Sequence, residues 1–139
     1  LKAGLVDHKK MYNDTKAVLD DLEIKVDPKT IIGTMAVSQR QMLEIAKAVS
    51  YNAKILVLDE PTSSLTSEEV EHLFRIMRRL CDTGSAIFFS THVLEVAEKL
   101  CDKVAIIKGG RLIVSGTMEE VKGQDSLEEV FLELEDDHA

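Results

Sequence analysis

Two adjacent acids, Asp59 and Glu60, close an apolar run and are followed by a proline; a histidine, His92, ends a second apolar run further along. Neighbouring carboxylates can share a divalent cation and take a proton from water, which is what phosphoryl transfer asks of a protein. Beside a dry sheet they are costly to ionise unless a cation or a polar substrate joins them. A magnesium–phosphate chemistry fits. The same residues also suit a buried strand that ends in solvated acids, and a lone histidine after a strand is more often structural than chemical.

These side chains need elements to hold them. Residues 54–66 read K-I-L-V-L-D-E-P-T-S-S-L-T. The unbroken apolar run Ile55, Leu56, Val57, Leu58 suits a strand buried on both faces in a parallel sheet. Pro61 has no N–H for the ladder, so the strand stops near Glu60. That puts both acids at the carboxyl end of a parallel strand, where open α/β sheets place ligands. Ala86, Ile87, Phe88, Phe89 and Ser90 form a second buried strand with Thr91 and His92 at its carboxyl end. Between the strands, Thr66 and Glu69 make a capping box, and Val70, Leu73, Phe74, Met77 and Leu80 form a helical stripe. His72 falls on the polar side, as a solvated residue. Gly84 stops the helix.

The remaining chain surrounds this unit. Residues 1–10 give no firm signal; a helix is expected over 12–22, with Asp14 as N-cap and Ala17, Val18 and Leu22 at helical spacing. Residues 23–27 alternate up to Pro28. Met42, Ile45, Ala46 and Val49 mark one face of a helix that starts near Ala36. After a helix over 93–101, two alternating runs, 103–108 and 111–115, join around K-G-G-R as a hairpin. Capping boxes at Thr117/Glu120 and Ser126/Glu129 start two last helices. Val130, Phe131 and Leu134 give the final helix an apolar edge, and residues 133–137 read as a solvated end.

A chain of 139 residues can bury a core. Its net charge of −8 argues against a nucleic-acid surface. No apolar run approaches the length of a membrane span, and the first residues read as neither a secretory signal nor a transit peptide. Cys81 and Cys101 are too few for a metal knuckle and are expected as buried free thiols. A cytoplasmic location is the default.

The motifs in this order resemble the nucleotide-binding domain of ABC transporters over most of the chain. The resemblance implies an α/β fold, a partial P-loop NTPase-like sheet with covering helices and a C-terminal hairpin. Residues 1–50 would be a helical-subdomain portion, facing a membrane partner, and 51–139 the C-terminal part of the ATPase core. Asp59 would hold magnesium, Glu60 would polarise the attacking water, and His92 would hydrogen-bond the γ-phosphate. Ser63, Ser64, Leu65 and Thr66 would be the D-loop. Met35, Ala36, Val37, Ser38 and Gln39 stand where the family has L-S-G-G-Q, a helix N-terminus that meets the γ-phosphate held by the opposite subunit. Galactose- and ribose-type importers relax those two glycines, and Q-M-L-E-I-A-K-A resembles theirs; Ala36 lacks the usual hydroxyl. ATP and Mg²⁺ would be the cofactors. A transporter membrane subunit and a second nucleotide-binding domain would be the partners, with the chain peripheral to the inner membrane and not inserted in it.

Up to about Phe74 the chain is similar to sugar-importer ATPases, while from about Ala86 it looks like the ATPases of ABC-2 type exporters. A fusion with its seam in residues 75–86 is one expectation. Nowhere do these residues contain G-x-x-x-x-G-K-[ST], the loop that cradles phosphates. The expected function is therefore a fragment of an ATP-hydrolysing transporter subunit that needs its phosphate loop from elsewhere. The alternative is an inactive remnant or chimeric chain that acts by self-association or partner binding.

Overall fold

Where the sequence turns from apolar to acidic, the chain folds as a strand–helix–strand unit. The computed structural model describes residues 6–136, with side chains through Leu134. The described chain divides at Ser90/Thr91 into two compact units.

In the first unit, strands β1 (Ile55–Leu58) and β2 (Ala86–Phe89) pair in parallel, Ile55 opposite Ala86 and Leu58 opposite Phe89. Helix α3 (Ser67–Asp82) joins them. Its start is the expected capping box: Glu69 Oε2 accepts from Thr66 N–H at 2.8 Å, and Thr66 Oγ1 accepts from Glu69 N–H at 3.4 Å. Leu73, Ile76 and Met77 are its buried stripe. The chain leaves α3 through Gly84 at φ +92°, a conformation that glycine adopts without Cβ strain.

Two helices precede the strand. Helix α1 (His8–Asp21) begins earlier than expected. Its N-cap is Asp7, whose carboxylate accepts from Lys10 N–H at 2.9 Å. Asp14 lies inside the helix instead, paired one turn on with Lys10 Nζ at 2.6 Å. A cap must stand ahead of the first orphan amides, and Asp7 already does. Helix α2 (Val37–Ser50) buries Met42, Ile45 and Ala46, with Val49 half-buried, as its periodicity predicts.

Three further expectations change. The strand β1 is not covered on both faces: Ile55 is 71% exposed and Val57 69%, with Phe88 of β2 at 63%. Side chains alternate along a strand, so Leu56, Leu58, Ile87 and Phe89 turn to the half-buried side and the other four, Ile55, Val57, Ala86 and Phe88, stay uncovered. Cys81 is free but exposed, and Cys101 free and half-buried. His72 is not merely solvated: its Nε2 donates to the Leu22 carbonyl at 2.8 Å, satisfying an orphan acceptor at the end of α1.

The second unit holds α4 (Leu94–Leu100), an antiparallel hairpin of β3 (Lys103–Lys108) and β4 (Arg111–Thr117), α5 (Met118–Lys122) and α6 (Leu127–Asp136). Gly109 and Gly110 turn the hairpin at φ +55° and +74°, values that match the strand twist of a tight two-residue turn. Ala97, Ile106 and Leu127 form its buried centre, and Val130, Phe131 and Leu134 pack inward onto it. Glu98 of α4 ties the helices together, pairing with Lys122 and accepting from Leu127 N–H at 3.2 Å. The Lys122 hydrogen bond, then that amide, hold its carboxyl below the usual carboxylate range. Glu133 is exposed, while residues 137–139 lie outside the described chain. Among the described residues no helix is long and apolar enough to cross a membrane.

Candidate phosphate-chemistry site on the first unit

The parallel register carries past the ends of the strands. Ser90 N–H donates to the Leu58 carbonyl at 3.0 Å, so Ser90 comes beside Asp59. The Ser90 hydroxyl donates to Asp59 Oδ1 at 2.5 Å and accepts from Glu60 N–H at 3.0 Å. One hydroxyl thus fixes both acids at the tip of the sheet. Asp59 is exposed, Glu60 half-buried, and Pro61 buried beneath them. Glu60 has φ +44°, in the left-handed region that side chains rarely enter. Such a conformation persists only where surrounding bonds enforce it.

The next residues supply those bonds. Ser63 N–H donates to the Glu60 carbonyl and Leu65 N–H to the Thr62 carbonyl, each at 3.2 Å, closing a double turn. From helix α2, Gln41 Nε2 donates to the Pro61 carbonyl at 2.6 Å and to the Glu60 carbonyl at 3.4 Å. Its Oε1 accepts from Ser64 Oγ at 2.6 Å. Thr66 then caps α3, so Ser63, Ser64, Leu65 and Thr66 form one connection from the acid tip to that helix.

The first turn of α2 lies in the same unit. Ala36 is the N-cap residue; its methyl group can accept nothing, and only the reverse bond exists, Gln39 Oε1 accepting from Ala36 N–H at 3.2 Å. Val37 is 56% exposed, so an apolar side chain faces solvent at the opening of the helix. Ser38 is half-buried and donates to the Glu69 carboxylate of α3. The Thr66 amide, then the Ser38 and Thr66 hydroxyls, hold Glu69 below its ordinary carboxyl range against a small desolvation penalty.

The unit therefore brings Asp59, Glu60, Ser63 and Ser64 together with α2 through Gln41, and Ser38 with α3. His92 belongs to the second unit, where it is exposed ahead of α4; Thr91 Oγ1 accepts from Val93 N–H at 3.1 Å beside it. The donors at the tip are carboxylate and hydroxyl oxygens. That set suits magnesium, which commonly takes one or two carboxylates and fills its remaining positions with water and phosphate oxygens. A cleft of about 260 Å³ lies at the amino end of the strands, lined in part by Asp21, Leu56, Arg79 and Ser85, and none of the residues above lines it.

Ser90 and Gln41 carry much of this geometry and were not singled out by the sequence. Ser90 is recoverable from register alone, since pairing Leu58 with Phe89 places the next residues side by side. Gln41 has no such signal.

The family model described as ABC transporter matches residues 2–63. The galactose/methyl galactoside import ATP-binding protein MglA of Mannheimia succiniciproducens is 51% identical over 126 residues, covering 87% of this chain and 25% of that protein. The MglA protein of Escherichia coli is 51% identical over 114 residues, covering 82% and 22%. Matches of this length include residues 75–86 within their span. The chain spans about a quarter of the length of these relatives. Among solved structures, an ATP-binding subunit of an ABC transporter superposes with a TM-score of 0.78 at 24% identity, covering 95% of this chain and 57% of that one. A nucleotide-free ATP-binding cassette from an ABC transporter does so at 0.69 and 20%, covering 96% and 50%. By its relatives and its fold, this chain belongs to the ATP-binding domains of ABC transporters.

Proposed function

We propose that this chain provides the magnesium- and water-handling part of ATP hydrolysis in an ABC importer of simple sugars, of the galactoside type named for its relatives. The observation that carries the reading is the strand-tip arrangement in which Ser90 bonds both Asp59 and the Glu60 amide. Asp59 would hold Mg²⁺, which when bound neutralises charge on the phosphates. Glu60 would orient and deprotonate the attacking water, with His92 hydrogen-bonding the γ-phosphate. The first turn of α2, at Ala36, Val37, Ser38 and Gln39, offers helix amides to phosphate oxygens of a nucleotide on a second ATP-binding domain. Ser63, Ser64, Leu65 and Thr66 would contact that same second domain.

In this reading residues 1–50 face the membrane subunit and 51–139 complete the catalytic core, on the cytoplasmic side of the inner membrane. The main grip on the triphosphate falls to residues other than these. That a single importer protein matches 87% of the chain, a span that includes 75–86, supports one lineage over a fusion. The test is Glu60→Gln in the assembled transporter: ATP turnover should fall by about two to four orders of magnitude, as loss of a general base does, with nucleotide binding retained. Turnover equal to wild type would end the assignment.

A second reading, action through association, is favoured by the uncovered ribbon of Ile55, Val57 and Phe88. Sedimentation of the 139-residue chain decides it, since a monomer at all concentrations has no such association.

A further inference from the structure

We propose that Gln41 is a positioning residue for Glu60, a strut from helix α2 that holds the left-handed turn on which the water-orienting carboxylate is carried. The proposal rests on the role given to Glu60 above.

Three bonds from one side chain converge on this turn. Gln41 Nε2 reaches the carbonyls of Pro61 at 2.6 Å and Glu60 at 3.4 Å, and Oε1 takes the Ser64 hydroxyl at 2.6 Å. The amide thus uses its donor and its acceptor on the two ends of the same five-residue stretch, 60–64. Pro61 lacks an N–H, and the turn's own backbone bonds are the two at 3.2 Å. A non-glycine residue at φ +44° stores backbone strain, and something outside the turn must oppose its relaxation. On the amino side the opposing bond is Ser90 Oγ to the Glu60 amide. On the carboxyl side it is Gln41. Glu60 is therefore gripped at its N–H by Ser90, just past strand β2, and at its C=O by Gln41 of helix α2.

A shift of α2, such as contact with a phosphate at its N-terminus would favour, is passed to the backbone of Glu60 through the Gln41 side chain. Gln41 and Ser64 are thereby couplers between phosphate sensing and water positioning.

The experiment compares wild type with Gln41→Leu and Ser64→Ala, the second keeping Gln41 in place and removing one arm. In the 139-residue chain, amide hydrogen exchange and Cα chemical shifts are read by NMR. Exchange at Ser63 and Leu65 should quicken by about fivefold in Gln41→Leu, the worth of one ordinary hydrogen bond, and by less in Ser64→Ala. Glu60 should lose its left-handed shift signature. Amides at Ala86 and Ser90 should keep their wild-type exchange, whereas a purely structural loss would speed them equally. Unchanged exchange at the turn, or uniform acceleration across the unit, overturns the proposal. In the assembled transporter, Gln41→Leu should lower kcat for MgATP with KM unchanged; an unaltered kcat beside an impaired Glu60→Gln overturns it. Equal turnover in wild type and Glu60→Gln would instead remove the role of Glu60, and the exchange data would still decide whether Gln41 holds the turn.

Discussion

The Ser90 hydroxyl donates to the Asp59 carboxylate at 2.5 Å, a bond between the tips of two neighbouring parallel strands. The same oxygen accepts the Glu60 amide. A metal-holding group and a water-orienting group need fixed separation, and here the sheet register supplies it before any ligand arrives.

Ser90→Ala removes the acceptor for a half-buried backbone N–H as well as the donor to Asp59. The loss should be about 1–2 kcal/mol, since an unsatisfied amide costs more than the bond it made. Chemical denaturation followed by circular dichroism should show a lower midpoint with an unchanged slope. A midpoint equal to wild type would mean that the strand tip does not depend on this hydroxyl.

Glu60→Gly separates stability from function. At φ +44° glycine escapes the Cβ penalty, and the gain should outweigh its extra unfolded-state entropy, so the variant should be as stable as wild type or up to about 1 kcal/mol more stable. ATP turnover in the assembled transporter should nonetheless be lost with the carboxylate. Strain retained against stability is the mark of a functional position. A clear fall in the denaturation midpoint would show that the Glu60 side chain contributes more to folding than its backbone costs.

Much of the frame was legible because its signals are local. Pro61 ends a strand, Gly84 ends a helix, Thr66 with Glu69 starts one, and Gly109-Gly110 turns a hairpin; each acts within four residues. The misreadings share the opposite character. His72 finds its partner at Leu22 and Gln41 finds Pro61, both through folding that brings distant residues together. The first helix is capped by Asp7, in a stretch that gave no firm signal, because apolar spacing marks a helix face and not the cap ahead of it. Burial of β1 on both faces was inferred from composition, whereas cover depends on what packs above it.

Acid should destabilise the fold through its capping carboxylates. Glu69, Glu98, Glu120 and Glu129 all have folded-state values below the ordinary 4.5, each chiefly through hydrogen bonds to a helix start or, for Glu98, to Lys122. The unfolded chain then binds protons more readily than the folded one. Their contribution is full above that ordinary value and is lost as pH falls through the lower folded-state values. Denaturation midpoints measured down through this range should drop, and Glu69→Gln, which preserves a capping box, should flatten part of the slope. An unflattened slope would exclude Glu69 as a contributor.

The two sides of the β1–α3–β2 layer should answer substitution in opposite ways. Leu73 on α3 is fully buried, so Leu73→Ala should cost about 2–5 kcal/mol through lost contacts and a residual cavity. Ile55 is 71% exposed on the uncovered face, and Ile55→Thr keeps β-branching. Little burial is lost there, so its midpoint should move by less than about 0.5 kcal/mol in dilute solution. At high concentration the ranking should change, because replacing Ile55 removes apolar surface that a second copy could cover. Sedimentation velocity across a concentration series should show weaker association for Ile55→Thr than for wild type. If Ile55→Thr were as destabilising as Leu73→Ala in the dilute monomer, the ribbon would be buried in solution after all.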